Sequence, residues 1–281
     1  MKLWIWLVLL YAVLKGIRDI VKKKALMKSS VPEVLLFYTL IGFLFVLPDT
    51  KTAMQLDFSY LGLIAVKSLI IMVAWILSYH AICHMPVSLF GVMDLSRVVF
   101  TTAMSVILFH EVLTRNRLIG MGMVVAGLVL VNLKKEKNGS RLSFKYTAMV
   151  LISCLLNGVS ELMDKYLMQH MESSQLQYWY MLFMVLMYIV YILITRTKID
   201  WKHIWKNYWI VILSVLFVAG DRALFIANAS GESSVILMTL IKQSAVLVAI
   251  LGGYVVFREK DVLYRMGCAL VIVAGIVVAL L

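Results

Sequence analysis

"VSLFGVMDLSRVVFTTAMSVILFHE", residues 87–111, returns in outline as "VILMTLIKQSAVLVAILGGYVVFRE", residues 235–259, at a constant offset of 148 positions. Both stretches are long apolar runs interrupted by charge, and both close on a phenylalanine, a histidine or arginine, and a glutamate. The same offset lays Arg117 on Arg265 and Ala126-Gly127 on Ala274-Gly275. A looser match sets Lys15-Gly16-Ile17-Arg18-Asp19 beside Asn157-Gly158-Val159-Ser160-Glu161. The chain is therefore expected to be two copies of one structural unit.

Working outward, apolar runs between charged or Pro/Ser-rich breaks predict spans near 3–22, 33–47, 59–82, 87–109, 115–133, 145–163, 177–195, 208–228, 233–257 and 262–281. Each is close to the roughly 20 apolar residues that cross a bilayer as helix. Pro32-Glu33, Pro48-Asp49 and His84-Met85-Pro86 mark interruptions or first turns of helices. Five spans per copy is an odd number, so the second copy enters the membrane from the other side. The expected fold is an all-α integral membrane protein of ten transmembrane helices, arranged as two inverted five-helix repeats, residues 1–137 and 138–281, in one membrane domain.

Composition agrees. The chain is 63% hydrophobic and 15% charged, against roughly 45–50% and 25% for soluble domains. The longest polar connections, Lys134 to Lys145 and Arg196 to Asn207, are about a dozen residues each, too short for a soluble domain. No small-residue cleavage site follows the apolar run Leu3 to Leu14, so it is expected to be the first span and not a leader. The formal charge of +12 comes from basic residues scattered between spans, which argues for membrane topology and against a nucleic-acid partner. Cys83, Cys154 and Cys268 sit singly in apolar runs, forming neither a disulfide framework nor a metal cluster.

Enzyme signatures fail one by one. Ala219-Gly220-Asp221 has Val218 where an intramembrane aspartyl protease needs another glycine, and Met93-Asp94 lacks the expected aromatic residue. His110-Glu111 has Thr114 where a zinc motif needs its second histidine. Neither a Gly-x-Ser-x-Gly elbow nor a phosphate-binding loop occurs. A non-enzyme without cofactors is expected.

The two repeat ends carry a family resemblance: "FHEVLTRNRLIGMGMVVAGLVLV", Phe109 to Val131, and "FREKDVLYRMGCALVIVAGIVVAL", Phe257 to Leu280. In each a glutamate closes a long helix, a short basic turn follows, and a glycine-containing helix ends the unit. Over nearly its whole length the chain resembles the drug/metabolite transporter superfamily, in its ten-helix EamA-like branch. The resemblance implies a transporter whose third, fourth, eighth and ninth helices surround a central cavity, with the fifth and tenth at the periphery. It is nearly silent about substrate, since similar members move amino acids, nucleotide sugars, choline, sugar phosphates or drugs.

Charge inside a span costs about 2.5–3.5 kcal/mol on insertion scales, so each such residue should face a partner or a watery cavity. Lys15, Arg18, Asp19, Lys67, Asp94, Arg97, Glu161, Asp221, Arg222 and Lys242 all fall within expected spans. Asp94 and Arg97 share a helical face with Phe90 and Thr101. Asp221 and Arg222 are about 100° apart, with Phe225 and Asn228 continuing the polar or aromatic side. The repeat sets Lys242 at the position of Asp94, beside Gln243 and one turn after Thr239. Trp75, Tyr79 and His80 offer an aromatic wall. The candidate substrate-binding set is thus Trp75, Tyr79, His80, Asp94, Arg97, Asp221, Arg222, Asn228, Lys242 and Gln243, with Asp94, Asp221 and Glu161 as candidates for proton or ion coupling. The competing reading is that these charges are structural ion pairs locking helices together. Glu111 and Glu259 read as structural groups at helix ends.

Six basic against four acidic residues within the spans favour an anionic or zwitterionic metabolite, such as an amino acid or sugar phosphate, moved by alternating access across a bacterial plasma membrane. Proton-coupled efflux of a cationic or amphipathic compound is the alternative within transport. A lipid-carrier enzyme or a packing subunit are the alternatives outside it. The expected partners are membrane lipid, a small-molecule substrate, and protons or another coupling ion; oligomeric state is not read. Of the 27 Lys and Arg residues, 16 fall in the odd-to-even connections and five on the opposite side, which places both termini outside, whereas relatives of this family are drawn with both inside.

Overall fold

In hydrocarbon every backbone N–H and C=O must be satisfied within its own segment, which leaves helices or closed barrels. The computed structural model, which describes residues 3–109, 115–133, 144–204, 206–230, 238, 241–259 and 262–280, is helical, and no strand occurs among the described residues. Its long helices are α1 (Leu3–Leu26), α2 (Val31–Val46), α3 (Leu61–His84), α4 (Val87–Asp94), α5 (Arg97–Phe109), α6 (Arg115–Leu133), α7 (Phe144–Leu167), α8 (Ser173–Thr195), α9 (Tyr208–Ala229), α10 (Ala245–Phe257) and α11 (Val262–Leu280). Among the described residues, five helical stretches are long and apolar enough to cross a membrane: Val31–Ala53, Phe58–His84, Phe144–Leu167, Ser173–Thr195 and Tyr208–Ala229. Residues His110, Glu111, Thr114 and Thr239, and the expected boundary at 137–138, lie outside the described residues.

α1 has spanning length but carries its charge inside the protein. Leu3, Trp6, Leu10, Val13 and Ile17, spaced three or four apart, form an exposed apolar stripe, while Lys15, Asp19 and Lys22 are buried on the other face. That inverts the pattern of a soluble amphipathic helix. The helix also runs a turn beyond the expected end at residue 22, to Leu26.

The expected continuous span 87–109 is broken. α4 ends at Asp94, Leu95 and Ser96 form a turn, and α5 begins at Arg97. The backbone at the break keeps its bonds in a tighter pattern, with Leu95 N–H donating to Val92 O and Val98 N–H to Leu95 O. A second break falls at Ser244, where a helical stretch at 241–243 gives way to α10. Ser244 is the position 148 residues after Ser96.

Helix ends are tied by polar side chains. Glu33 accepts hydrogen bonds from the Ser30 N–H and hydroxyl at 2.8 Å each, and from the Asp200 N–H at 2.8 Å, so one carboxylate caps α2 and holds a connection. Asn207 Nδ2 donates to Ala25 O at 2.9 Å, joining the start of α9 to the end of α1. Glu259 reaches back to α4: its carboxylate accepts from Val87 N–H at 2.6 Å and Ser88 N–H at 3.1 Å, and pairs with Arg265 at 3.1 Å. An anion over unpaired N–H groups at a helix start is favourable, and the structural reading of this glutamate fits.

The packing pattern exchanges under a swap of the two chain halves. α1 lies on α9 as α7 lies on α3, α1 on α10 as α7 on α5, and α2 on α9 as α8 on α3. Of the remaining large pairings, α2 with α8 and α6 with α11 join corresponding segments, while α4 packs on α10, the counterpart of α5. The α6–α11 pairing is a close crossing. A side chain added at Gly127 would run into Ile272, and one at Gly275 would come within 2.6 Å of Met123 Cβ and 2.8 Å of Gly120 O. Small residues at such a crossing let two backbones approach closely.

Gly275→Leu is therefore expected to destabilise the folded protein by about 1–3 kcal/mol through overpacking. Gly122→Leu, at a position facing open space, should leave it unchanged. Thermal unfolding of the purified proteins in detergent, followed by size-exclusion recovery, checks both.

Candidate functional site

Charge turned inward from several helices has to meet charge from its neighbours. α1 presents Lys15, Arg18, Asp19 and Lys22; α3 presents Lys67; the α4–α5 break presents Asp94 and Arg97; α7 presents Glu161 and Asp164; α9 presents Asp221. All ten line one cavity of about 780 Å³, counting its opening.

The groups are paired. Asp94 bridges Lys15 at 2.6 Å and Arg97 at 2.8 Å, Arg97 reaches on to Glu161 at 3.2 Å, and Glu161 meets Lys242 at 3.3 Å. Lys22 pairs with Asp19 at 2.8 Å, Lys67 with Asp164 at 3.1 Å, and Arg18 with Asp221 at 3.5 Å. Lys67 is only 2% exposed. An ion at that depth without a counter-charge would cost several kcal/mol. The break at Leu95-Ser96 positions the hub, because it puts Asp94 and Arg97 at the end of one helix and the start of the next, on the same side of the chain.

Rings form the rest of the wall. Tyr38 lies 5.4 Å from Trp75, 6.2 Å from Tyr79 and 5.1 Å from Phe217 between ring centroids, and Trp75 is 5.1 Å from Phe217. The protein's own cations sit over several of these faces: Lys67 Nζ is 3.8 Å from the Tyr180 centroid, Lys22 Nζ 4.9 Å from Tyr79, and Arg18 5.4 Å from Phe217. Each is within cation–π range. Among the described residues no group of three His, Cys, Asp or Glu side chains is arranged to hold a metal.

The sequence candidates divide. Trp75, Tyr79, Asp94, Arg97, Glu161 and Asp221 line the cavity, and Lys242 joins them through Glu161. Arg222 does not line it. Adjacent to Asp221 and so turned about 100° away, it donates to Gln177 Oε1 at 2.5 Å and pairs with Asp49, tying α9 to α8 and to the turn after α2. His80 is likewise one residue round the helix from Tyr79, and its carbonyl contacts the His84 ring at 2.8 Å. Asn228, in the last turn of α9, accepts Lys165 on its carbonyl at 3.2 Å. Gln243 is buried just before the Ser244 break and is not part of the lining.

Other lining residues escaped the sequence reading. Asp164 fell outside the expected span 145–163, but α7 continues to Leu167. Asn157, Ser160, Glu161 and Asp164, at spacings of three and four, were a legible polar stripe on one helical face. Lys22 is the last residue of the expected first span, and its charge was assigned to the connection; α1 continues past it to Leu26. Tyr11, Tyr38, Tyr180 and Phe217 looked like any other membrane aromatic, and only their convergence distinguishes them.

Among the described residues the fold is helical, with five stretches long and apolar enough to cross a membrane around a cavity lined by charge and rings. Residues 2–133, just under half of the chain and including only the first of the two repeat ends, match the model of the EamA-like transporter family, as the resemblance leads one to expect for that half. No curated protein matches. One solved structure, described only as the crystal structure of a protein, is similar with a TM-score of 0.63 at 15% identity, covering 95% of this chain and 96% of that chain. At that identity the likeness shows the fold alone.

Asp94→Asn leaves Lys15 and Arg97 without their shared counter-charge and is expected to cost about 3–5 kcal/mol. Arg222→Gln breaks a pair whose side chains are 29% and 32% exposed, and should cost no more than about 1 kcal/mol. Denaturant titration of the two variants against the parent protein tests the contrast.

Proposed function

We propose that this chain is a secondary transporter of a bacterial plasma membrane, built from ten spans in two inverted repeats, residues 1–137 and 138–281, and moving a small anionic or zwitterionic metabolite by alternating access. The single observation that carries the reading is the convergence of ten ionisable side chains from six helices on one cavity. Structural ion pairs alone do not require that all of them open onto one shared cavity. The half-for-half exchange of helix contacts and the helix breaks at Ser96 and Ser244 support the repeat. An inverted pair of that kind encloses a midplane site with half-helix ends pointing at it.

In this reading Arg97 and Lys15 bind the substrate's negative group, Lys242 supports them through Glu161, and Trp75 and Tyr79 cover the remainder. Asp94, Asp221 and Glu161 are the acids available for coupling to a proton or another ion. Occupation of the Tyr79, Tyr180 and Phe217 faces by the protein's own cations argues against a cationic substrate.

Reconstitution into liposomes tests this directly. Wild-type protein should accumulate or release small anions or zwitterions from a metabolite panel, and Arg97→Gln should reduce that flux by about 100-fold or more, in line with loss of a bidentate charge-assisted contact worth roughly 3 kcal/mol. Arg222→Gln, outside the cavity, should retain it. Wild-type flux in Arg97→Gln would reject the assignment.

A further inference from the structure

The ion pairs around the cavity do not balance evenly. Lys22–Asp19, Lys67–Asp164 and Arg18–Asp221 are matched one to one. The linked network Lys15–Asp94–Arg97–Glu161–Lys242 instead holds three bases and two acids, so it carries one formal positive charge in excess. Buried charge without compensation is what a low-dielectric interior penalises most.

From this imbalance we infer that the site selects a substrate of net charge −1, whose carboxylate docks on Arg97 in the place held by Glu161. The inference deepens the anion-transport reading above and rests on it. Glu161 is the place-holder because its contacts, 3.2 Å to Arg97 and 3.3 Å to Lys242, are longer than those of Asp94 at 2.6 and 2.8 Å. Arg97 spends one terminal nitrogen on Asp94 and the other on Glu161, while its Nε is buried without a hydrogen-bond partner. Ser160, 2% exposed and also part of the lining, has a hydroxyl in the same condition.

An incoming carboxylate takes the Arg97 terminal nitrogen that Glu161 releases, a charge-assisted contact; the idle Nε–H lies on the other edge of the guanidinium, beside the nitrogen held by Asp94. Glu161 keeps Lys242. The exchange replaces one carboxylate by another, so no base loses its counter-charge. A monoanion brings the network to neutrality, whereas a zwitterion leaves it at one positive charge and a dianion overshoots to one negative.

The test uses purified full-length protein and three probes with the same ring: 3-phenylpropanoate, phenylalanine and phenylsuccinate, which at about pH 7 are monoanion, zwitterion and dianion. The smaller series propanoate, alanine and succinate runs beside it. In each series the monoanion is expected to bind with a Kd roughly tenfold or more below the other two, a difference of about 1.4 kcal/mol. Lys242→Gln removes the excess charge and should move the preference to the zwitterion. Glu161→Gln raises the excess to two and should move it to the dianion. The double variant Glu161→Gln/Lys242→Gln restores an excess of one and should recover the monoanion preference, which a merely damaged protein would not do. Zwitterion or dianion binding as tightly as monoanion in the wild type, or a ranking indifferent to all three variants, overturns the charge assignment and leaves the transport reading standing. Binding of neither series, together with absence of small-anion flux in liposomes, overturns both.

Discussion

Ionic groups inside a membrane protein have no water to fall back on, and every one must meet an opposite charge or a wet cavity. Much of this structure follows from that constraint. α1 turns Lys15, Arg18, Asp19 and Lys22 inward and leaves an apolar stripe outside, although its overall composition is too charged for an isolated span. Its packing against α9 and α10 brings Arg18 to Asp221 and Lys15 to Asp94, ion pairs between segments more than 75 residues apart in sequence. Removing one partner costs more than the pair contributes, since the survivor is stranded.

The break at Leu95-Ser96 lies inside the ionic network. The break ends α4 in the carboxylate and starts α5 with the guanidinium, so that Asp94 serves Lys15 of α1 while Arg97 serves Glu161 of α7. One acid and one base thereby join three segments, and the network extends to Lys242 beside the second break. Such a junction is pre-organised at the middle of the cavity wall, and its long contacts at Glu161 are the ones easiest to exchange for a ligand. Rings around Tyr38 close the remaining wall and offer several of their faces to lysine and arginine of the protein itself.

Period and charge made much of this architecture legible in the amino-acid sequence. Apolar runs of spanning length, proline at the first turn of α2 and before α4, and the 148-residue offset were all readable, because lipid exposure demands apolar length and a repeated unit repeats its pattern. The inward direction of Asp94, Arg97 and Asp221 was readable too, since an ionisable residue in a span has nowhere else to go. Which partner each would meet was not. Asp94 with Lys15 and Glu161 with Lys242 are long-range encounters that depend on how helices cross, and local periodicity contains nothing about crossing. Arg222 shows the limit from the other side: its charge was visible, but a rotation of about 100° from Asp221 sends it to Asp49 and Gln177 instead of the cavity.

What the sequence by itself determined is the class: helices long and apolar enough for a membrane, a duplicated pattern, and a set of charges that must be buried together. The tertiary structure alone decided which charges converge, that Lys22 at the end of its expected span and Asp164 just past the end of its own belong with them, and that the central network is left one positive charge in excess. The physical reason is that hydropathy acts residue by residue along the chain. Charge compensation in a low-dielectric interior instead acts between groups brought within about 4 Å by packing.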